Sequence, residues 1–261
     1  MYRIQKAVIK AKGEHKPFVP EKEPVISPLE ALKYSKTRVV NTHPDMLEDL
    51  RLIAGHNNNV NSQIFRSLRT QVIQKMREGK WASLAITSPN AGEGKTLIAA
   101  NLAAAIAMEV NQTVLLVDLD LKTPSVSQYF NIEPEFGMLD YLLGQVSLDK
   151  VMVNPGVERL VVVPGRGKIV NSSELISSPK MVSFFAETKN RYSSRIVIYD
   201  MPPILPSDDV LSSIGNVDCA LLVLEDGKNT EKDIVRSIRQ LRNTAMLGTV
   251  VNKFHKGSWV L

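Results

Sequence analysis

The feature that most constrains the fold is an alternation that begins at Trp81. Short apolar runs rich in Leu and β-branched residues (SLAIT, TVLLVD, RLVVVP, RIVIYD, CALLVL and LGTVVN) alternate with helix-length segments, among them 95–109, 179–190 and 231–243. A strand buried on one face alternates apolar with polar residues. These runs are continuously apolar, so both of their faces must be covered. Parallel strands need a long crossover, usually a helix, which matches the spacing here. The expected fold class is therefore α/β, a mainly parallel sheet with helices on both faces. Ligands in such folds sit beyond the carboxyl ends of the strands. The informative residues should lie just past each run.

They do. After SLAIT comes SPNAGEGKT (88–96), and after it the Ala-rich LIAANLAAAIAMEV. The phosphate-loop pattern G-x-x-x-x-G-K-[ST] is met at Gly94, Lys95 and Thr96, with Pro89 in place of the first glycine. The chemistry needs inward backbone N–H groups at a helix N-terminus, plus an ammonium and a hydroxyl. Gly92 and Gly94 let the backbone wrap closely. Ala91, Gly92, Glu93, Gly94, Lys95, Thr96 and Leu97 are the candidates to surround the phosphates of ATP. Lys95 would neutralise the β/γ oxygens, and Thr96 would ligate Mg²⁺. An ordinary helix start after a glycine-rich turn is the bland alternative, and the flanking strand and helix argue against it.

Two further runs end in carboxylates. TVLLVDLDLKTP puts Asp118 and Asp120 just beyond a strand, on one side because the side-chain period is two. RIVIYDMPPIL puts Asp200 beyond another. Magnesium takes few carboxylates, several waters and phosphate oxygens. Three acids converging on one phosphate loop suit both metal placement, with Thr96, Asp118 and Asp200 as ligands, and activation of an attacking hydroxyl. Any one of them alone could be a helix cap or turn residue.

The rest of the chain is less specific. The net charge of +5 is unevenly placed: residues 1–80 carry a net +7 and residues 81–261 a net −2. Residues 1–45 are polar and broken by five prolines, which reads as a flexible basic arm with a short helix over 2–12 as its candidate element. The segment 46–80 reads as helical. HPDMLEDLRLIAG is expected to dock on the body, and HNNNVN reads as a loop. SQIFRSLRTQVIQKMREG spaces Ile64, Leu68, Val72 and Met76 four apart, an amphipathic helix. The body, 81–261, is expected to be the ATP-binding domain. A basic arm attracts nucleic acid, a membrane surface or an acidic partner. No aromatics interleave with its Lys and Arg, and the body is slightly acidic, so nucleic acid is discounted. No segment reads as a membrane span or signal peptide, and the single Cys219 excludes a disulfide framework. The expected address is the cytoplasm. His15, His43, His56 and His255 lack metal-ligand spacing, and Trp81 and Trp259 read as anchors near chain ends.

GEGKT, VLLVDLDLKTPSV and VIYDMPP, in that order, resemble the bacterial tyrosine kinases of capsule and exopolysaccharide synthesis. That family calls them Walker A, Walker A′ and Walker B, and commonly lacks the first Walker A glycine, as Pro89 does here. Asp118, Asp120, Lys122 and Pro124 match D-x-D-x-[KR]-x-P. LVVVPGRGKIVNSSELISSPKM, LLVLEDGKNTEKDI and LGTVVNKF resemble the family's later segments, so the resemblance spans about 60–255. QIFRSLRTQV resembles the E-x-x-R-x-x-R oligomerisation helix: Arg66 and Arg69 match, and Gln63 replaces the acid.

The resemblance implies transfer of the ATP γ-phosphoryl to a tyrosine. Lys95, Asp118 and Asp120 would be catalytic, with Asp118 orienting or deprotonating the phenol and Asp120 assisting at the metal. Asn252 would bind adenine, as in related ATPases. The implied type is a separate cytoplasmic kinase chain, recruited to the inner face of the membrane by the cytoplasmic tail of a transmembrane copolymerase-type activator and self-associating as a homo-oligomer. One departure stands out. The family ends in a cluster of tyrosine acceptors, whereas none of Tyr2, Tyr34, Tyr129, Tyr141, Tyr192 and Tyr199 lies past position 199, and the ending KGSWVL offers none. A truncated tail, an acceptor elsewhere, and a kinase-like ATPase that no longer autophosphorylates all stay open. So do two other readings. A switch ATPase of the partitioning and division-site type is opposed by Asn90, where those proteins carry a lysine. The other is a nucleotide-binding scaffold regulating chain length.

Overall fold

A computed structural model describes residues 37–40, 52–53, 62–190 and 194–254. The basic arm apart from 37–40, the 46–61 segment apart from 52–53, the four histidines, Trp259, Tyr2, Tyr34 and Tyr192 lie outside the described residues.

The strands are β1 Arg38–Val39, β2 Ser83–Thr87, β3 Thr113–Asp118, β4 Val153–Asn154, β5 Leu160–Val163, β6 Arg195–Asp200, β7 Cys219–Glu225 and β8 Ala245–Asn252. The helices are α1 Ser62–Gly79, α2 Lys95–Ala107, α3 Val126–Tyr129, α4 Met138–Leu142, α5 Leu148–Val151, α6 Ser172–Ile176, α7 Pro179–Asn190, α8 Asp209–Ser213 and α9 Glu231–Gln240. One sheet takes the order β1-β4-β5-β3-β6-β2-β7-β8. All neighbours are parallel except β4 and β5.

The continuous apolar runs are explained by two cores, one on each face. Leu84 and Ile86 of β2, Leu116 of β3 and Ile198 of β6 pack with Phe65 and Met76 of α1 and the alanines of α2. The alternate residues Ala85, Leu115, Val197 and Tyr199 pack with Met138 of α4 and Phe184 and Phe185 of α7. The period of two thus distributes each strand between the cores. Burying one such Leu or Ile contributes about 1.5–3 kcal/mol.

Asn101, a polar residue in the middle of α2, has a structural use: its Oδ1 accepts the Ile53 N–H (2.9 Å) and its Nδ2 donates to the Leu97 carbonyl (3.0 Å). Trp81 comes directly after α1, its N–H donating to the Met76 carbonyl (2.8 Å), and a side chain at Gly79 would run into its ring. The structure differs from the sequence reading at Arg38–Val39, which lie in the stretch read as an arm yet pair with β4 at the sheet edge. Among the described residues no helix is long and apolar enough to cross a membrane.

Asp218, at the start of β7, ties three elements at the amino edge of the sheet. Its Oδ2 accepts from the Ala82 and Ser83 amides (2.9 and 3.0 Å) and the Ser83 hydroxyl (3.0 Å), while Lys189 of α7 donates to Oδ1. Burial alone would raise its carboxyl, but the Lys189 bond and these donors outweigh burial and hold it below the usual range. Asp218→Ala strands those donors and is expected to lower stability by about 1–3 kcal/mol in urea denaturation. A depressed carboxyl contributes above its ordinary range and loses that contribution on acidification, so the difference from wild type should shrink in acid.

Candidate active site

The register of three strands builds the site. Asp118 pairs with Asp200 across β3 and β6, and Ile86 pairs with Asp200 across β2 and β6. The phosphate loop, β3 and β6 therefore end at one pole. The loop after β6 clasps the phosphate loop from below: the Ile204 and Leu205 amides donate to the Ser88 and Pro89 carbonyls (2.8 and 3.1 Å).

α2 starts at Lys95 because Gly94 adopts a left-handed conformation, φ 96°. The first amides of α2 have no intrahelical acceptor, and Gly92 and Gly94, both left-handed, turn the loop into them. A ring of donors at a helix N-terminus suits phosphate. Outside the ring, Lys253 Nζ holds the Gly92 carbonyl (2.8 Å) and Lys228 Nζ the Ala91 carbonyl (3.4 Å), and both ammonium groups meet Glu225 Oε2 (3.1 Å each). Glu93 is buried, and its carboxylate accepts from the Asn90 amide (3.1 Å) and from Asn229 Nδ2 (2.6 Å).

Lys95 Nζ lies 2.9 Å from Asp120 Oδ2, 3.8 Å from Asp200 Oδ2 and 3.3 Å from Thr96 Oγ1. Burial opposes the Lys95 charge, but Asp200 and Asp120 outweigh it and raise the group. Burial likewise opposes the Asp120 charge, and Lys95 outweighs it and lowers the carboxyl. The Thr96 hydroxyl donates to Asp200 Oδ2 (2.7 Å) and accepts from Ser125 Oγ (3.2 Å). Asp118 Oδ2 accepts the Ser125 and Val126 amides (2.9 and 3.0 Å), and its Oδ1 the Asp120 amide (3.2 Å). Complete burial, then the Asp200 charge, push Asp118 up to about 7. Asp200 is raised by burial against the pull of Lys95 and Thr96.

The residues present fit a hard divalent cation. Asp200 Oδ1 is buried and meets no hydrogen-bond donor among the described residues, and Thr96 Oγ1 sits beside the same carboxylate. Oxygen donors of this kind are what Mg²⁺ takes.

Lys95, Thr96, Asp118, Asp120 and Asp200 are thus brought together as the sequence suggested. Asn252 sits at the loop, but its Nδ2 donates to the Glu93 carbonyl (2.9 Å). Arg69 meets its own body: Nη2 pairs with Glu109 (3.0 Å) and Nη1 donates to the Ala105 carbonyl (3.3 Å). Arg66 lies one turn earlier on α1, half-buried. Sequence reasoning missed Ser125, Asn229, Lys228 and Lys253. Of these only Ser125, directly after the D-x-D-x-K-x-P pattern, carried a signal.

The family of the CobQ/CobB/MinD/ParA nucleotide binding domain matches residues 84–258. The tyrosine-protein kinase YwqD of Bacillus subtilis (strain 168) is 34% identical over 197 residues, covering 74% of this chain and 81% of that protein. The putative tyrosine-protein kinase EpsB of Ralstonia solanacearum is 32% identical over 198 residues, covering 73% of this chain. This chain spans only 25% of EpsB's length. The kinase domain of the Escherichia coli tyrosine kinase ETK superposes with a TM-score of 0.72 at 30% identity, covering 80% of this chain and 82% of that one. The chain belongs to the bacterial tyrosine kinase family. Its mainly parallel sheet and phosphate loop are those of the nucleotide-binding domain that this family shares with MinD and ParA.

Two outcomes are expected for the kinase-family site. Gly94→Ala places a methyl against the Asn252 amide at a left-handed position, whereas Gly92, φ 80°, has open space around it. Isothermal calorimetry should show Gly94→Ala losing Mg-ATP affinity far more than Gly92→Ala, which carries only the left-handed strain of about 1–2 kcal/mol. The second concerns pH. A carboxyl raised in the folded state stabilises the nucleotide-free protein fully below its unfolded value, and that contribution is lost as pH rises through about 7. Asp118→Asn should therefore lose less stability than wild type between about pH 5 and about pH 8 in urea titrations. Equal losses would exclude Asp118 as the source.

Proposed function

We propose that this chain transfers the γ-phosphoryl group of ATP to a tyrosine hydroxyl. The observation that carries this is the convergence of Asp118, Asp120 and Asp200 on Lys95 and Thr96 at the start of α2. The kinase names of the relatives support the choice of acceptor.

The amides from Gly92 to Leu97 and the Lys95 ammonium hold the phosphates. Thr96 and Asp200 would hold Mg²⁺, which would neutralise charge on the phosphate oxygens. Asp120 keeps Lys95 in place. Asp118, fixed by three amides, accepts the phenol proton as the phenol oxygen bonds to the γ-phosphorus and the bond to the β-phosphate oxygen breaks. An acid with a value near neutrality suits that exchange. Such transfers depend on positioning and charge neutralisation more than on covalent help.

By resemblance, the chain regulates exopolysaccharide or capsule synthesis, and a transmembrane activator's cytoplasmic tail recruits it to the membrane. Self-association would use the open face of α1, where Ile64 is 64% exposed, rather than Arg69, which is already paired.

Phosphotyrosine mass spectrometry after incubation with Mg-ATP and the activator tail tests the reading. Lys95→Ala should reduce transfer by about a hundredfold or more, since it removes a charge from the transition-state cradle. Unchanged transfer in Lys95→Ala would sink the assignment. ATP turnover without phosphotyrosine would identify a switch ATPase instead.

A further inference from the structure

We infer that Asp209, a buried acid outside the proposed chemistry, is a positioning residue that acts through Lys122 to hold the loop carrying Asp118 and Asp120. This rests on the kinase reading and adds a residue to the support of that site.

The loop after β3, residues 119–125, is folded around its own carboxylates. Asp118 Oδ2 accepts the Ser125 and Val126 amides (2.9 and 3.0 Å), and Asp120 Oδ1 accepts the Thr123 amide (2.9 Å). These bonds shape the loop. Two others tie its tip to the neighbouring segments. The Leu121 carbonyl accepts the Ile169 amide (3.1 Å), from the segment after β5. The Lys122 ammonium donates to Ser207 Oγ (2.9 Å) and meets Asp209 Oδ2 at 3.2 Å and Oδ1 at 3.4 Å, in the segment after β6.

Both ties lead to Asp209. Ser172, three residues beyond Ile169, donates its hydroxyl to Asp209 Oδ2 (2.6 Å). That bond joins the first residue of α6 to the first residue of α8. The Asp209 amide donates to Ser207 Oγ (3.3 Å), which closes the group. One carboxylate therefore links the segments that follow β5, β3 and β6, three strands adjacent in the sheet.

Burial makes this link firm. An exposed ion pair contributes little, since both groups can return to water. The Lys122 side chain is 36% exposed and has that choice, whereas Asp209 is 1% exposed and does not. Its charge needs the ammonium and the hydroxyl, and removing one partner of a buried pair is strongly unfavourable. Asp209 is the fixed end of the tie, and Lys122 is drawn to it.

The link acts on the acceptor side of the site. The proposed holders of phosphate and cation are the loop amides, Lys95, Thr96 and Asp200. The Asp209 carboxylate meets Lys122 and Ser172, and neither belongs to that set. A loop released at Lys122 would carry with it the Ser125 and Val126 amides that aim Asp118. A displacement of about 1 Å made far from the chemistry can cost about a hundredfold in rate.

The test uses the full chain as wild type, Asp209→Asn, Lys122→Met, Lys122→Arg, and Asp209→Asn combined with Lys122→Met. It measures kcat for phosphotyrosine formation at saturating Mg-ATP, on a random Glu–Tyr copolymer and on the chain itself, and Mg-ATP affinity by calorimetry. Asp209→Asn and Lys122→Met should each lower kcat about tenfold or more, with Mg-ATP affinity kept within about threefold. The double variant should be no worse than the more impaired single one, because two ends of one tie are not additive. Lys122→Arg should keep kcat within about threefold, since its fork of donors serves both the carboxylate and the hydroxyl. If Asp209→Asn does not fold, Lys122→Met removes the same tie from its exposed end and, with Lys122→Arg, carries the test. Unchanged kcat in Lys122→Met, affinity lost as steeply as kcat, multiplied losses in the double variant, or Lys122→Arg as impaired as Lys122→Met would each overturn the inference, while wild-type transfer upheld the kinase. No phosphotyrosine from wild type on either acceptor would overturn both.

Discussion

The register of β3 against β6 sets Asp118 beside Asp200, two fully buried carboxylates on adjacent parallel strands. That pairing is the constraint on which the rest of the site depends. Burying two like charges is costly unless each is partnered. The structure supplies partners from different directions: three amides on Asp118, and the Thr96 hydroxyl and Lys95 ammonium on Asp200. One ammonium against three acids still leaves the pole negative. Burial, joined for Asp118 by the Asp200 charge, raises both carboxyls, and the negative excess is complementary to a divalent cation.

The body of the fold was legible because its signals are local and redundant. TVLLVD and RIVIYD coincide with β3 and β6 residue for residue, and 179–190 with α7, since a doubly covered parallel strand has no polar positions to blur its ends. The catalytic pole was legible for a related reason: once strands are placed, the residues just past their carboxyl ends must face the ligand. β1 and β4 escaped notice. Two residues have no period, and β1 finds its place only against β4, more than a hundred positions away. Strand order was equally hidden, because nothing in SLAIT itself says that β2 inserts between β6 and β7.

Within the site, residue types were legible and their supports were not. Glu93 was grouped with the residues around the phosphates, and its place in the loop fits that. Its side chain, however, turns inward to Asn90 and Asn229, fixing the loop's shape. Asn252 was assigned to adenine by family resemblance and holds the Glu93 carbonyl. Asn229 and Asn252 lie 136 and 159 residues from Glu93. Arg69 shows the same limit on a helix: resemblance marked it for self-association, but the packing of α1 on α2 shows that Glu109 takes its charge.

The distribution of lysines around the loop explains how one ammonium can be reserved for the phosphates. Lys228 and Lys253 lie outside, each shared between Glu225 and a loop carbonyl. Binding the carbonyls of Ala91 and Gly92 orients those peptides so that the next amides along the chain are left for the interior. The outer lysines therefore act through backbone geometry, with Glu225 balancing their charge. Lys95 stands inside, between Asp120 and Asp200, where a phosphate oxygen would compete directly with carboxylates for its protons. Transferring Lys95 from acid to phosphate exchanges one anion for another, so its charge need not be left unpartnered as the nucleotide binds, and the buried ammonium remains viable in both states.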